Sequence, residues 1–200
     1  MVVRGPRLSL RYATAADAPA LFELGSDPEV TRFFSWGPYR ECSEPIAYIE
    51  SLAGRREAGE RLEFLITGAG DVPIGVTGLS DHSARDRRAT VGTWLGRAHW
   101  GTGANRESKA LILSLAFCTL GLERVTALAS PDNPRSLAAL EKLGFVQEGV
   151  LRGWHRHHGE PRDVAILGLL RAGYEAGPMA GERVVIEGEP PEPWRYSQRK

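Results

Sequence analysis

Two stretches carry residue types whose spacing could do chemistry. The first is Trp100-Gly101-Thr102-Gly103-Ala104-Asn105, where two glycines sit one residue apart at the head of an apolar-striped segment. Gly101 and Gly103 remove side-chain bulk, so backbone N–H groups can close on a ligand, and the first turn of a helix leaves its amides unpaired and slightly positive. Such a start suits a phosphate. A Gly-X-Gly before a helix also serves as plain turn chemistry, and alone it does not decide between the two. The second stretch, Ser130-Pro131-Asp132-Asn133-Pro134-Arg135-Ser136, reads as a helix start with Asn133 as N-cap and Pro134 at the first helical position. Asn133 and Ser136 are then either structural or ligand contacts. Asp81-His82 closes an apolar strand as a solvated turn or a polar site. Arg152, Trp154, His155, His157 and His158 crowd one hairpin. His-X-His-His without an acidic or Cys partner points to solvent or an acceptor substrate, and no metal is expected.

These residues need elements to hold them. Residues 89–95 read as a strand entering the glycine turn, and the helix beyond it carries Ser108, Leu111, Ile112, Leu115 and Cys118 as one stripe that should pack on a sheet. Arg97, Arg106 and Lys109 cluster near that turn, either on phosphates or as solvated surface. Residues 124–129 form a second strand, parallel to the first through a right-handed crossover, which positions ligands at the carboxyl ends of the strands. Upstream, residues 7–13 alternate as a strand, and Thr14 or Asp17 can cap a helix reaching Leu24 before the Asp27-Pro28 break. Residues 30–39 hold Phe33, Phe34, Trp36 and Tyr39 as buried packing or as a pocket wall. A helix over 46–57 precedes strands at 63–67 and 74–79, joined by a hairpin turn at 68–71. A last hairpin pairs 145–154 with 162–170. From 173 to 200 the chain turns rich in Gly, Pro and Glu. Its short apolar run Val184-Val185-Ile186 is expected to pair with a sheet edge, or with that of a second copy, which would make a homodimer.

Strand, Gly-X-Gly turn, helix, strand, Asn-X-X-Ser and then Glu141-Lys142-Leu143-Gly144-Phe145 together resemble the GNAT acetyltransferase superfamily, and within it the branch of ribosomal-protein N-terminal acetyltransferases. The likeness covers residues 7–171. It implies an α+β fold with a mixed, mostly antiparallel central sheet of about seven strands flanked by helices, its central strands splayed, and a tail at 172–200. It implies acetyl-CoA as co-substrate, with the pyrophosphate on Gly101, Thr102, Gly103, Ala104, Asn105 and Arg106 beside Trp100. The pantetheine arm would lie between the strands against Trp94, Leu95 and Gly96, near Asn133, Ser136 and Lys142. Phe34, Trp36, Arg152, Trp154 and His155 would hold the acceptor. Trp100 and Asn105 replace family residues without removing a backbone donor. Leu140 stands where many members have a Tyr acid, and Thr90 where the branch often has a Glu. Ser136 matches a Ser assigned in the branch to protonating the departing thiolate. Asp81, His82, His155 or a water chain ending on Glu148 would then serve as base. A weak base favours an α-amine, with a pKa of about 7.7 to 8.0, over a Lys amine at about 10.4. The resemblance thus implies acetyl transfer to a protein N-terminus. A small-molecule amine acceptor and a non-catalytic acyl-CoA-binding protein are the competing readings.

Composition narrows the class further. Lys plus Arg and Asp plus Glu number 25 each in 200 residues, so no global field draws the chain to nucleic acid or to an anionic membrane. No apolar run approaches the ~20 residues of a membrane span, and the N-terminus lacks the apolar core of a signal peptide, so a cytoplasmic protein is expected. Cys42 lies in a polar stretch and Cys118 on the apolar helix face, a pair without metal spacing.

Overall fold

The computed structural model describes residues 1–157 and 159–195. Nine strands make one sheet: β1 (Val2–Arg4), β2 (Ser9–Arg11), β3 (Arg61–Thr67), β4 (Pro73–Ser83), β5 (Arg88–Leu95), β6 (Arg124–Ala129), β7 (Val146–His157), β8 (Glu160–Leu170) and β9 (Val185–Glu187), in the order β7-β8-β6-β5-β4-β3-β2-β1-β9. The helices are α1 (Ala18–Gly25), α2 (Pro28–Thr31), α3 (Ser43–Glu57), α4 (Ala104–Ser114), α5 (Pro134–Glu141) and α6 (Arg171–Glu175). All pairings are antiparallel except β5 with β6. The expected seven strands become nine: β9 comes from the apolar run at 184–186 expected to pair with an edge, and β1, three residues long, is too short for an alternating pattern to register.

The central strands are packed on both faces. Leu62, Phe64, Ile66, Val91 and Leu95 pack with Leu111, Ile112 and Leu115 of the α4 segment, while Leu65 and Val76 pack with Ala18 and Leu21 of α1 and Ile49 of α3. Alternation along β3 sends neighbours to opposite faces, which is why Phe64 and Leu65 belong to different cores. The α4 stripe holds as far as Leu115. There the helix widens into a π turn over Leu115–Thr119, closed by the Leu120 amide donating to the Leu115 carbonyl at 2.9 Å. Each residue of such a turn rotates less than in an α-helix. The apolar face therefore passes to Ala116, Phe117 and Leu120, and Cys118, expected inside, is exposed.

Beyond Arg171 the chain folds back on the sheet. Val3 faces Ile186 in register, and Arg4 Nε meets Glu187 Oε1 at 3.0 Å, so the apolar run pairs with the β1 edge of its own sheet. Trp194 is fully buried, its ring 4.5 Å from that of His82. Among the described residues no helix is long and apolar enough to cross a membrane.

Candidate active site

The parallel pairing of β5 and β6 stops early. Partners run from Arg88↔Arg124 to Val91↔Ala127, after which β5 continues to Leu95 and β6 to Ala129 without facing each other. A gap therefore opens between two central strands at their carboxyl ends. On its other edge β5 stays paired to β4 as far as Gly75↔Leu95. The Gly96 amide donates to the Ile74 carbonyl at 2.9 Å, and the Gly92 carbonyl accepts from Thr77 Oγ1 at 3.0 Å, both toward β4. Backbone polarity alternates along such a strand, so Thr93 and Leu95 turn their peptide groups to the gap. An amide-bearing chain entering there would meet a strand edge, as an added strand does.

Of the three residues expected on that edge, Leu95 fits. Trp94 pairs in the β4 direction and sends its ring to the α1–α3 face. The Gly96 backbone is spent on Ile74 and on His99, whose amide donates to the Gly96 carbonyl at 2.9 Å. Gly96 is a glycine for packing: a Cβ there would lie 2.3 Å from Leu24 Cδ2.

The glycine turn stands at the mouth of this gap. Gly101 and Gly103 have φ of +75° and +86°, the left-handed region that side chains resist. Among the described residues the amides of Gly101, Thr102, Gly103, Asn105 and Arg106 have no protein acceptor, and only the Ala104 amide leans on Thr102 Oγ1, at 3.4 Å. Five unspent donors at a helix start form an anion cradle. Trp100 closes its side by donating Nε1–H to the Leu95 carbonyl at 2.9 Å, and Arg135 of α5 lies over the Trp100 ring at 3.6 Å. Arg7 reaches the cradle from the N-terminal segment. The space a Cβ of residue 103 would take is 3.2 Å from Arg7 Nη2, and Glu107 in the first turn of α4 accepts from the Arg7 amide, the Arg7 Nε and the Leu8 amide at 2.7 to 2.9 Å. The Arg106 side chain is engaged elsewhere, with Glu182 and the Pro178 carbonyl. Arg97 faces Asp27 at 3.8 Å.

Lys109 is not a surface cation. It is buried on α4, its Nζ 2.6 Å from Thr93 Oγ1, which in turn lies 2.7 Å from Thr77 Oγ1. Burial pushes the amine down to about 7.

Across the gap, Asn133 caps α5 through its side chain, accepting from the Ser136 amide at 3.1 Å, with Pro134 at the first turn. The Ser136 hydroxyl is half-buried in that same turn, and Lys142 is exposed at the far end of α5. Leu140 belongs to the core.

On the α1–α3 face beside the gap the aromatics gather. Trp36 stacks with Phe34 at 5.6 Å, meets Tyr39 at 5.2 Å and packs edge-on to Trp94 at 5.4 Å. Burial, with Glu44 and Glu63 nearby, pushes the Tyr39 phenol up to about 12. The β7–β8 hairpin overhangs the same end of the sheet, since the β6 register with β8 ends at Ala129↔Ala165 while the hairpin runs on. Arg152 and Trp154 are exposed on it and His155 is half-buried. His158 lies outside the described residues.

Other expected residues are not brought to this end. Asp81 and His82 follow the Ser80↔Thr90 pair, toward the amino end of β5 and away from the gap mouth. Asp81 is exposed with φ +51°, and the His82 ring is taken up by Trp194, its basicity lowered by burial. Glu148 is held by Arg124 in a two-armed ion pair that keeps its carboxyl below the usual range. In the sequence Arg7, Glu63 and Arg135 carry no sign of a site role, and Lys109, expected on phosphates or in solvent, is instead buried. Only the register of β3, β4 and β5 shows what Glu63 faces, and a lone Lys in a helical stripe carries no mark of burial. Arg135 was within reach, standing one residue before Ser136.

A gap between splayed parallel strands, with a glycine cradle before a helix at its mouth, is the frame of a CoA-dependent acyltransferase. Residues 7–146 match the sequence profile of the acetyltransferase (GNAT) domain, and the chain belongs to this family. It is similar to the N-acetyltransferase p20 of Bacillus licheniformis, 32% identical over 169 residues that cover 84% of this chain and 95% of the relative. It shares the fold of Mycobacterium smegmatis RimJ, solved with CoA-disulfide, at a TM-score of 0.81 and 20% identity over 90% of this chain and 91% of that one. The Vibrio cholerae spermidine N-acetyltransferase, solved with CoA and spermine, superposes at 0.73 with 23% identity, covering 84% and 98%. The chain is thus an acetyl-CoA-dependent N-acetyltransferase of the GNAT family.

Proposed function

We propose that the acceptor is a protein N-terminal α-amine. The observation that carries this reading is the face beside the gap: Glu63 stands in the rows of β3, β4 and β5 that turn toward α1 and α3, and Phe34, Trp36, Tyr39 and Trp94 wall the space next to it, with Glu44 of α3 near Tyr39. A peptide N-terminus brings one amine followed by amides and side chains, which suits a carboxylate set in a wall of rings. The α-amine, with a pKa of about 7.7 to 8.0, also supplies a neutral nucleophile near pH 7.5 without a strong base.

In this reading the cradle from Gly101 to Arg106, with Arg7 beside it, takes the pyrophosphate of acetyl-CoA, and the Thr93 and Leu95 edge takes the amides of its arm. The Leu95 N–H is directed to the gap, where it can donate to the oxyanion that forms when the amine adds to the thioester carbonyl. The Ser136 hydroxyl lies at the facing helix start and gives a proton to the departing sulfur.

The test is release of CoA thiol from acetyl-CoA with peptides beginning Ala, Ser or Thr, set against spermidine and small aromatic amines, with a no-acceptor control. Release with the peptides and silence with the amines is expected. Release with spermidine alone moves the enzyme to small-molecule acceptors. Silence throughout with acetyl-CoA bound removes the peptide reading and favours a binding protein.

A further inference from the structure

Register carries one more residue into the site. Glu63 of β3 faces Gly78 of β4, and Gly78 faces Gly92 of β5, so the three form one row across the sheet. Direct partners point to the same face. Leu65, Val76 and Trp94 form the next row and pack toward α1 and α3, so the Glu63 row looks the same way. The two glycines clear that row of side chains. A Cβ on residue 78 would lie 2.5 Å from Glu63 Cγ, which means that the Glu63 side chain lies across β4 in the place a residue 78 side chain would fill. A Cβ on Gly92 would meet nothing within 4 Å. Gly92 directly follows Val91, the last residue of β5 paired to β6, so the open space stands over the point where the strands part.

With neighbouring strands about 4.8 Å apart, Glu63 Cα and Gly92 Cα are about 10 Å from each other, and a Glu side chain leaning across Gly78 covers about half of that. The remainder has room for an amine, or for one water and an amine.

The Glu63 carboxylate is not consumed by the fold. Its side chain is 16% exposed, and it holds two long contacts, Oε1 to Arg61 Nη1 at 3.2 Å and Oε2 to the Tyr48 hydroxyl at 3.3 Å. Burial and the neighbouring Glu63 raise the Tyr48 phenol well above its ordinary value, so it stays a proton donor to this carboxylate.

We infer that Glu63 is the catalytic base of this acetyltransferase, receiving a proton from the acceptor amine over Gly92 directly or through one water. The inference rests on the N-acetyltransferase reading of the gap and names the group that Thr90 cannot be. The acceptor enters as an ammonium and gives one proton to Glu63. Its nitrogen then forms a bond to the thioester carbonyl carbon, the carbon–sulfur bond breaks, and Ser136 gives its hydroxyl proton to the departing sulfur while taking up the second nitrogen proton, which yields CoA thiol and leaves Ser136 unchanged. The proton on Glu63 returns to solvent, so each turnover releases one proton, one amide and one CoA.

The experiment compares wild type, Glu63→Gln, Glu63→Asp and Gly92→Val on whichever acceptor gives the fastest wild-type turnover, with acetyl-CoA affinity measured separately by calorimetry. Glu63→Gln is expected to lose about a hundredfold or more in kcat, the ordinary contribution of a positioned base. Its acetyl-CoA affinity should stay within twofold, and Glu63→Asp should recover part of the rate. Gly92→Val, placed where a Cβ has free space, should fold and bind acetyl-CoA normally yet lose turnover, because it fills the path between Glu63 and the gap. Glu63→Gln within twofold of wild-type kcat, or full activity in Gly92→Val, overturns the assignment. The outcomes separate from those of the peptide reading, since a wild-type enzyme fastest on a small amine removes the N-terminal acceptor and leaves the Glu63 comparison intact.

Discussion

Gly103 combines two demands that no other residue type meets. Its φ of +86° lies where an L side chain is strained, and the position of its missing Cβ is 3.2 Å from Arg7 Nη2 at the cradle. Gly103→Trp should weaken acetyl-CoA binding at least tenfold by calorimetry; unchanged affinity would place the pyrophosphate elsewhere. Lys109 makes a prediction of opposite kind. Its amine is lowered to about 7 in the fold against 10.5 when unfolded, so between those values the unfolded chain binds the extra proton. Stability through this group rises with pH across that window, and below about 7 burying the amine costs free energy. Lys109→Met should therefore raise Tm at pH 6 by at least about 2–4 °C, the shift expected for 1 kcal/mol in a chain of this size. The gain should shrink as pH approaches 10. A gain that is the same at pH 6 and pH 10 would contradict the buried, proton-shedding amine. Gly101, Gly103 and the Asn133 cap were legible in the sequence because each is a local device, complete within a few residues. Glu63 and Lys109 were not, since their surroundings come from strands and helices far along the chain.

At the scale of elements, the sequence marked β3 to β6 and α4 through alternation and stripe, and it lost the thread where local geometry departs from the ideal. The π turn after Ser114 moved Cys118 out of the core, and β1 was too short to show a period. The segment after Arg171 reads as a tail in composition, yet it supplies an edge strand and the largest fully buried side chain, Trp194. The Trp194 Nε1–H is buried and finds no partner among the described residues. Trp194→Ala should cost about 3–5 kcal/mol in denaturant unfolding, the range for emptying a large aromatic site. Trp194→Phe removes the unpaired donor, keeps most of the volume and should cost far less. Equal losses for the two would mean that the indole N–H, and not ring burial, holds the segment down.

For the whole molecule, one sheet packed on both faces at its centre parts between β5 and β6, and the proposed site lies around that parting. The cradle stands at its mouth, the Ser136 helix start at its side, and the glycine-floored face with its rings and carboxylate in front. The family is written in the spacing of the glycine turn and the Asn-X-X-Ser segment. In the reading proposed above, acceptor choice rests on side chains from β3, β5, residues 34–39 and the last hairpin, whose meeting no local pattern announces. The proposed transfer to an N-terminal α-amine can be read from a single peptide carrying both kinds of amine, Ala first and a Lys in its middle, incubated with acetyl-CoA and analysed by fragment mass spectrometry. Acetyl on the Ala nitrogen with the Lys untouched is the predicted result. Acetyl on the Lys, or none on either while spermidine is turned over, would contradict it.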